Sequence, residues 1–217
     1  MRTIGCAGFP FPPTRYFKDF GYVEIQETHL SMPGSGTVRR WRREAPEDFE
    51  FAVMAPKELG AAGYRDTEAS LASLEQLKEV IAVLGATRVV VQAPSEFTDT
   101  KANRAAIKAF FVAKHDELPP MVFEAPASWD VLGAEKLALD AQVMPCRDPL
   151  AHGLSKAKEV YYRLAGPAGH KSRYEDQPLE ALAELARRAK HDRVFYIFSN
   201  VDMGQDAKRL LKALGGA

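Results

Sequence analysis

Little in this chain announces a chemistry. Cysteine is scarce: Cys6 and Cys146 are the only two in 217 residues. Two distant thiols exclude a disulfide framework and a cysteine-built zinc cluster, and they fit a reducing compartment. Charge of one sign is also missing, because 29 Lys and Arg balance 29 Asp and Glu. No overall field therefore draws the protein to nucleic acid or to an anionic membrane, and any such binding needs a local patch. No apolar run approaches the roughly 20 residues of a membrane-spanning helix. The opening MRTIGCAG has no apolar core of the signal-peptide kind, so a cytoplasmic protein is expected. No low-complexity stretch or Gly/Ser linker interrupts the chain, and residues 1–217 read as one domain.

Strand and helix signals alternate along the chain. Candidate strands are Thr3–Ala7, Tyr22–Gln26, Glu50–Met54, Arg88–Gln92, Met121–Glu124, Ala141–Met144, Glu159–Leu164 and Val194–Phe198. The sixth is the weakest signal, being short and bounded by Asp140 and Pro145. Helical periodicity is clear from Glu68 to Leu84, where Leu71, Leu74, Leu77, Ile81 and Leu84 build one stripe and Gly85 is placed to cap it. Further helices are expected over Lys101–Lys114, Pro178–Lys190 (capped by Asp176) and Gln205–Leu214, and a short one carries Trp41. Such alternation implies a parallel sheet covered by helices, and eight units favour closure into a TIM-type (β/α)8 barrel with a short or irregular sixth unit. The alternative is an open doubly wound sheet. Against it, the first strand–helix turn, GCAGFPFPP, lacks the glycine pattern of a dinucleotide-binding unit.

Barrels of this kind place functional groups at the C-terminal strand ends and in the loops that follow. Side chains alternate between interior and helix layer. Val23 and Ile25 suit the helix side, so Glu24 and Gln26 point inward; Phe123 goes out and Glu124 in; Tyr162 and Leu164 go out, leaving Tyr161, Arg163 and Ala165 inside. Two carboxylates and an arginine are thus expected to converge. They suit general acid/base catalysis with an arginine orienting an anion. They equally suit a structural ion-pair network.

Other segments carry double readings. His29 is a proton carrier or metal ligand, or an exposed loop histidine. Cys146, Arg147, Asp148 and His152 could form a metal or Cys–His nucleophile cluster, but they lack zinc-ligand spacing, and a turn around Pro145 and Pro149 explains them more simply. Arg39, Arg40, Arg42 and Arg43 form a basic run that could meet phosphates or simply face solvent. The loop Gly166–Asp176 carries His170, Lys171 and Arg173 after the seventh strand, where such barrels often bind phosphate. Phe9, Phe11, Tyr16, Phe17 and Tyr64 could stack a base or sugar, or close the barrel top by packing.

The chain resembles the YecE-like proteins, domain of unknown function 72, over nearly its whole length. The motifs are the opening GCAGF, the VEIQ strand with Pro33 downstream, Trp41 followed by APEDFEFAVMAP, and FEAPASW. They continue with YYRLAG and its YEDQPLEALAE, then YIFSN before DMGQDAKRLLKAL. The resemblance implies a β/α barrel and places Asn200 at the mouth. Family members usually carry Asn at Gln26, Lys at Met54, Arg at Pro126, His at Ala165 and Asn at Ser199, whereas Glu24, Glu124, Arg163 and Asn200 are kept. One functional expectation is an acid/base or hydrolytic enzyme acting on a small phosphorylated or nucleotide-like substrate. Glu24 and Glu124 would be its acid/base groups. Arg163, Gln26 and Asn200 would hold the substrate, and His170, Lys171 and Arg173 would meet its anion. The alternative is a non-catalytic binder of a small ligand or nucleic acid. No metal site and no cofactor is read from the residues.

Overall fold

The computed structural model describes residues 1–216. Among them are eight strands and ten helices: β1 (Arg2–Ala7), α1 (Pro13–Asp19), β2 (Tyr22–Ile25), α2 (Glu27–Leu30), α3 (Ser35–Glu44), β3 (Glu50–Met54), α4 (Lys57–Ala61), α5 (Glu68–Leu84), β4 (Arg88–Gln92), α6 (Lys101–Lys114), β5 (Met121–Glu124), α7 (Val131–Asp140), β6 (Met144–Arg147), α8 (Pro149–His152), β7 (Glu159–Leu164), α9 (Asp176–Arg188), β8 (Arg193–Phe198) and α10 (Met203–Ala213). The strands follow chain order around a closed barrel. β1 pairs in parallel with both β2 and β8, which closes the ring.

By backbone contacts the chain resolves into two compact units. One comprises Met1–Glu24, Pro46–Phe49 and the chain from Arg147 onward; the other comprises Ile25–Ala45 and Glu50–Cys146.

In the second unit the apolar patterns become packed elements. Leu74, Leu77 and Leu84 of α5 are buried. Thr67 caps the helix reciprocally with Ser70, satisfying donors that a helix start otherwise orphans. Gly85 ends it in the left-handed conformation, φ 63°. Phe110 and Phe111 bury the inner face of α6, and Phe111 meets Phe123 of β5 edge-on at 5.4 Å. Trp41 is buried on α3.

In the first unit, aromatic packing ties α1 to the sheet. Tyr16 accepts from the Cys6 amide (2.8 Å) and donates to the Tyr22 carbonyl (2.8 Å). Phe9, Phe17, Phe20 and Phe49 gather around it. Gly5 is required where β1 approaches β2, because a Cβ there would lie 2.5 Å from the Tyr22 carbonyl oxygen.

Two boundaries differ from the sequence reading. β6 is Met144–Arg147 rather than Ala141–Met144. α7 runs on to Asp140, Ala141 caps it, and Gln142 takes φ 57° to turn the chain, so the strand starts later and carries Pro145 within it. α9 begins at Asp176, two residues before Pro178, because a proline in the first helical turn gives up an amide that has no intrahelical partner. Its N-cap is Glu175, and Asp176 forms an ion pair with Arg209 instead of capping.

Candidate functional site

β7 alternates as the sequence pattern requires. Tyr162 turns outward to His191 Nε2 (2.9 Å), while Tyr161 and Arg163 turn inward. The Tyr161 ring stacks on Phe195 (centroids 5.5 Å apart, 25° between planes), and Phe195 in turn meets Tyr22 at 5.0 Å. These three rings form an aromatic layer inside the first unit. Above it stands Glu24, with no exposed surface. Its Oε2 accepts from the Tyr161 hydroxyl (2.5 Å) and from Arg163 Nη2 (2.8 Å). Its Oε1 is buried and has no hydrogen-bond partner among the described residues. Burial first, and the neighbouring Glu24 charge second, push the Tyr161 phenol well above its ordinary pKa. Tyr161 therefore stays a donor to the carboxylate, not a base.

A second buried carboxylate lies nearby in the same unit. Asp206, in the first turn of α10, accepts from Asn200 Nδ2 on Oδ2 (2.8 Å) and from Arg209 Nη1 on Oδ1 (2.8 Å). Asn200 is thereby turned to α10 instead of the barrel mouth. The alternation that puts Phe195 inside carries Ser199, not Asn200, onto the inner face.

The loop after β7 is folded onto its neighbours. Gly166 (φ 95°) cannot be replaced without crowding, since a Cβ would lie 2.4 Å from Ser172 Oγ. Ser172 Oγ donates to the Gly169 carbonyl and accepts from the Ala168 amide. Tyr174 receives the Gly166 amide (2.9 Å). Of the three basic residues expected to meet an anion, Arg173 pairs with Asp202 (3.0 Å) and His170 Nδ1 bonds the Ser199 carbonyl (2.8 Å). Lys171 is exposed.

The remaining candidates are distributed as follows. Glu124 ends β5 and is half-buried, in register with Gln92. Gln26 is the half-buried residue that starts α2. His29 Nδ1 is bonded to the Ala55 carbonyl (2.7 Å), a structural contact. Asp148 caps α8 through the Leu150 amide. Among the described residues no cluster of His, Cys, Asp and Glu is arranged to hold a metal. Phe9, Tyr16 and Phe17 are committed to the α1 packing and Tyr64 to Phe97 and Phe110. Arg42 sits over the Phe51 ring, while Arg39, Arg40 and Arg43 are exposed.

One feature of the first unit has no counterpart in the sequence reading. A cavity of about 240 Å³ lies beside the start of α10, lined by Phe11, Arg15, Asp202, Gln205 and Lys208 among others. Arg15 and Lys208 both stand over the Phe11 ring, at 5.2 and 5.1 Å. The cavity's walls come from segments distant in sequence, which is why periodicity could not reveal it. Tyr161 was findable, since its parity matches that of Arg163. Asp206 carried no pattern of its own.

Residues 14–216 match the family described as "Protein of unknown function DUF72". The chain belongs to that family. No curated protein matches it. Among solved structures it is similar to a DUF72 family protein from Thermotoga maritima, at 18% identity and TM-score 0.76, with 99% of each chain covered. A DUF72 family protein from Enterococcus faecalis is 20% identical with TM-score 0.75, covering 100% of this chain and 98% of the other. A xylose isomerase domain containing protein from Salmonella typhimurium is 13% identical with TM-score 0.65, covering 96% of this chain and 94% of that one. At these identities the likeness is one of fold, a TIM-type barrel. No helix among the described residues is long and apolar enough to cross a membrane.

Proposed function

We propose that the protein handles a small molecule at the C-terminal mouth of its barrel, with Glu24 as the acid/base group. One observation carries this reading: a carboxylate with no exposed surface keeps one oxygen without a hydrogen-bond partner among the described residues. Buried polar groups are nearly always satisfied, and leaving one unmet costs about 1–3 kcal/mol, more for a charged group. Tyr161 and Arg163 fix the carboxylate through Oε2. Oε1 is then the atom that takes a proton or a hydrogen bond from a substrate. In this reading Arg163 positions Glu24 and does not grip a substrate anion. A phosphorylated substrate would have Lys171 as the cation of the β7 loop left to meet it.

A non-catalytic small-ligand protein is the second reading, favoured by the unreactive Ala165 that lies alongside Ser199 just past the end of β7. The test is a metabolite screen read by thermal stabilisation and by turnover, followed by Glu24→Gln. Turnover lost with binding kept supports the acid/base role. Binding without turnover in the parent protein selects the second reading. A ligand bound and turned over equally well by parent and variant would remove Glu24 from the site.

A further inference from the structure

The inner face beside Glu24 has a second orphan. Ser199 Oγ is buried and, like Glu24 Oε1, has no hydrogen-bond partner among the described residues. The strand registers relate the two. Cys6 of β1 is in register with Val23 and with Phe198, and Ala7 with Glu24. One residue further along, Ser199 stands beside Ala7, and its amide donates to the Leu164 carbonyl (3.0 Å), which sets Ala165 alongside it. The top inner row of this unit therefore reads Ala165, Ser199, Ala7, Glu24: small, polar, small, polar. The Glu24 side chain leaves β2 and reaches Tyr161 and Arg163 on β7, the strand next to β8, which Ser199 follows. Ala7 and Ala165 contribute only methyl groups between and beside the two orphans. Ser199 and Ala165 are half-buried, whereas Glu24 and the Ser199 hydroxyl oxygen are buried.

Resting on the proposed role of Glu24, we propose that this row binds a neutral polyhydroxylated ligand, a sugar or polyol. One hydroxyl would donate to Glu24 Oε1 and a neighbouring one would pair with Ser199 Oγ. The chemistry is set by what is missing. Oε1 is an acceptor and needs a donor. The carboxylate charge is already met by Arg163 (2.8 Å), so a cationic ligand is not required. An anion brought to Oε1 would face like charge. A hydroxyl donates to the carboxylate without adding charge, and a serine hydroxyl can both donate and accept, which suits a second hydroxyl.

The experiment is a ligand-observed NMR titration of the intact protein with three panels: pentoses, hexoses and alditols; their phosphate esters; and amines of similar size. The neutral panel is expected to bind, and the esters to bind no better than their parent sugars. Ser199→Ala should weaken neutral binding roughly tenfold, the worth of one hydrogen bond. Ala165→Leu, at a half-buried rim position that tolerates added volume, should block it. Binding confined to esters or to amines, still lost in Glu24→Gln, overturns the polyol inference and leaves the Glu24 reading standing. Neutral binding that Ser199→Ala and Ala165→Leu leave intact overturns this row as the binding place. No binding by any panel, with Oε1 serving only a buried water, overturns both.

Discussion

Two buried carboxylates in the same unit have nearly the same inventory and different geometry. Glu24 and Asp206 each have an arginine and one neutral donor. At Asp206 the donors are divided, Asn200 on one oxygen and Arg209 on the other. At Glu24 both donors crowd onto Oε2, and Oε1 has none among the described residues. Asp206 is a closed clamp that seats the first turn of α10 against Asn200, two residues past β8. Glu24 is held as firmly yet left open. Charge content alone does not separate structural from functional carboxylates; the distribution of donors over the two oxygens does.

The largest effect that would sharpen this contrast is on stability. Removing one partner of a buried pair leaves an uncompensated charge, so Arg163→Met should cost about 3–5 kcal/mol by urea denaturation. Arg209 is 38% exposed and also pairs with Asp176, so water can replace part of its contact with the buried Asp206 and Arg209→Met should cost less, about 1–3 kcal/mol. Equal costs would erase the distinction. Tyr161→Phe removes a hydrogen bond to a charged group and should cost about 1.5–3 kcal/mol. It should also alter ligand affinity, because it frees Oε2.

Asp206→Ala strands the buried Asn200 amide and should cost about 1–3 kcal/mol. Ligand binding at Glu24 should not change in that variant; a change would mean that the two carboxylates form one site. The smallest expected effect is at Cys6, whose thiol is pushed up from 9.0 to about 12, chiefly by burial and in part by the Asp206 charge. Alkylation at pH 8 should spare Cys6 until the protein unfolds. Because the unfolded thiol loses its proton first, this group's contribution to stability falls as pH rises from about 9 toward about 12.

The fold was legible because helix and strand periods are strong where packing is regular. α6 buries Ile107, Phe110 and Phe111 as its pattern requires; α5 buries Leu74, Leu77 and Leu84 and ends at Gly85, but Leu71 of the expected stripe is exposed and Val80 is buried. β6 was misplaced because its boundary depends on a left-handed Gln142 and an internal Pro145, which local propensity opposes. For the site, parity in β2 and β7 placed Glu24 and Arg163 on the same inner face, and they do meet. The engagement of Arg173 and His170 by Asp202 and the Ser199 carbonyl was not legible, since those partners come from the loop after β8, some 30 residues on in sequence. The orphaned oxygen is a property of three-dimensional bonding, and no sequence pattern encodes it.

The most direct test is a crystal structure of the protein soaked in the tightest-binding neutral polyol. A ligand hydroxyl within hydrogen-bond distance of Glu24 Oε1, with Tyr161 and Arg163 still on Oε2, is the predicted result. A side chain of the protein itself bonded to Oε1, leaving Glu24 as closed as Asp206, would contradict the account.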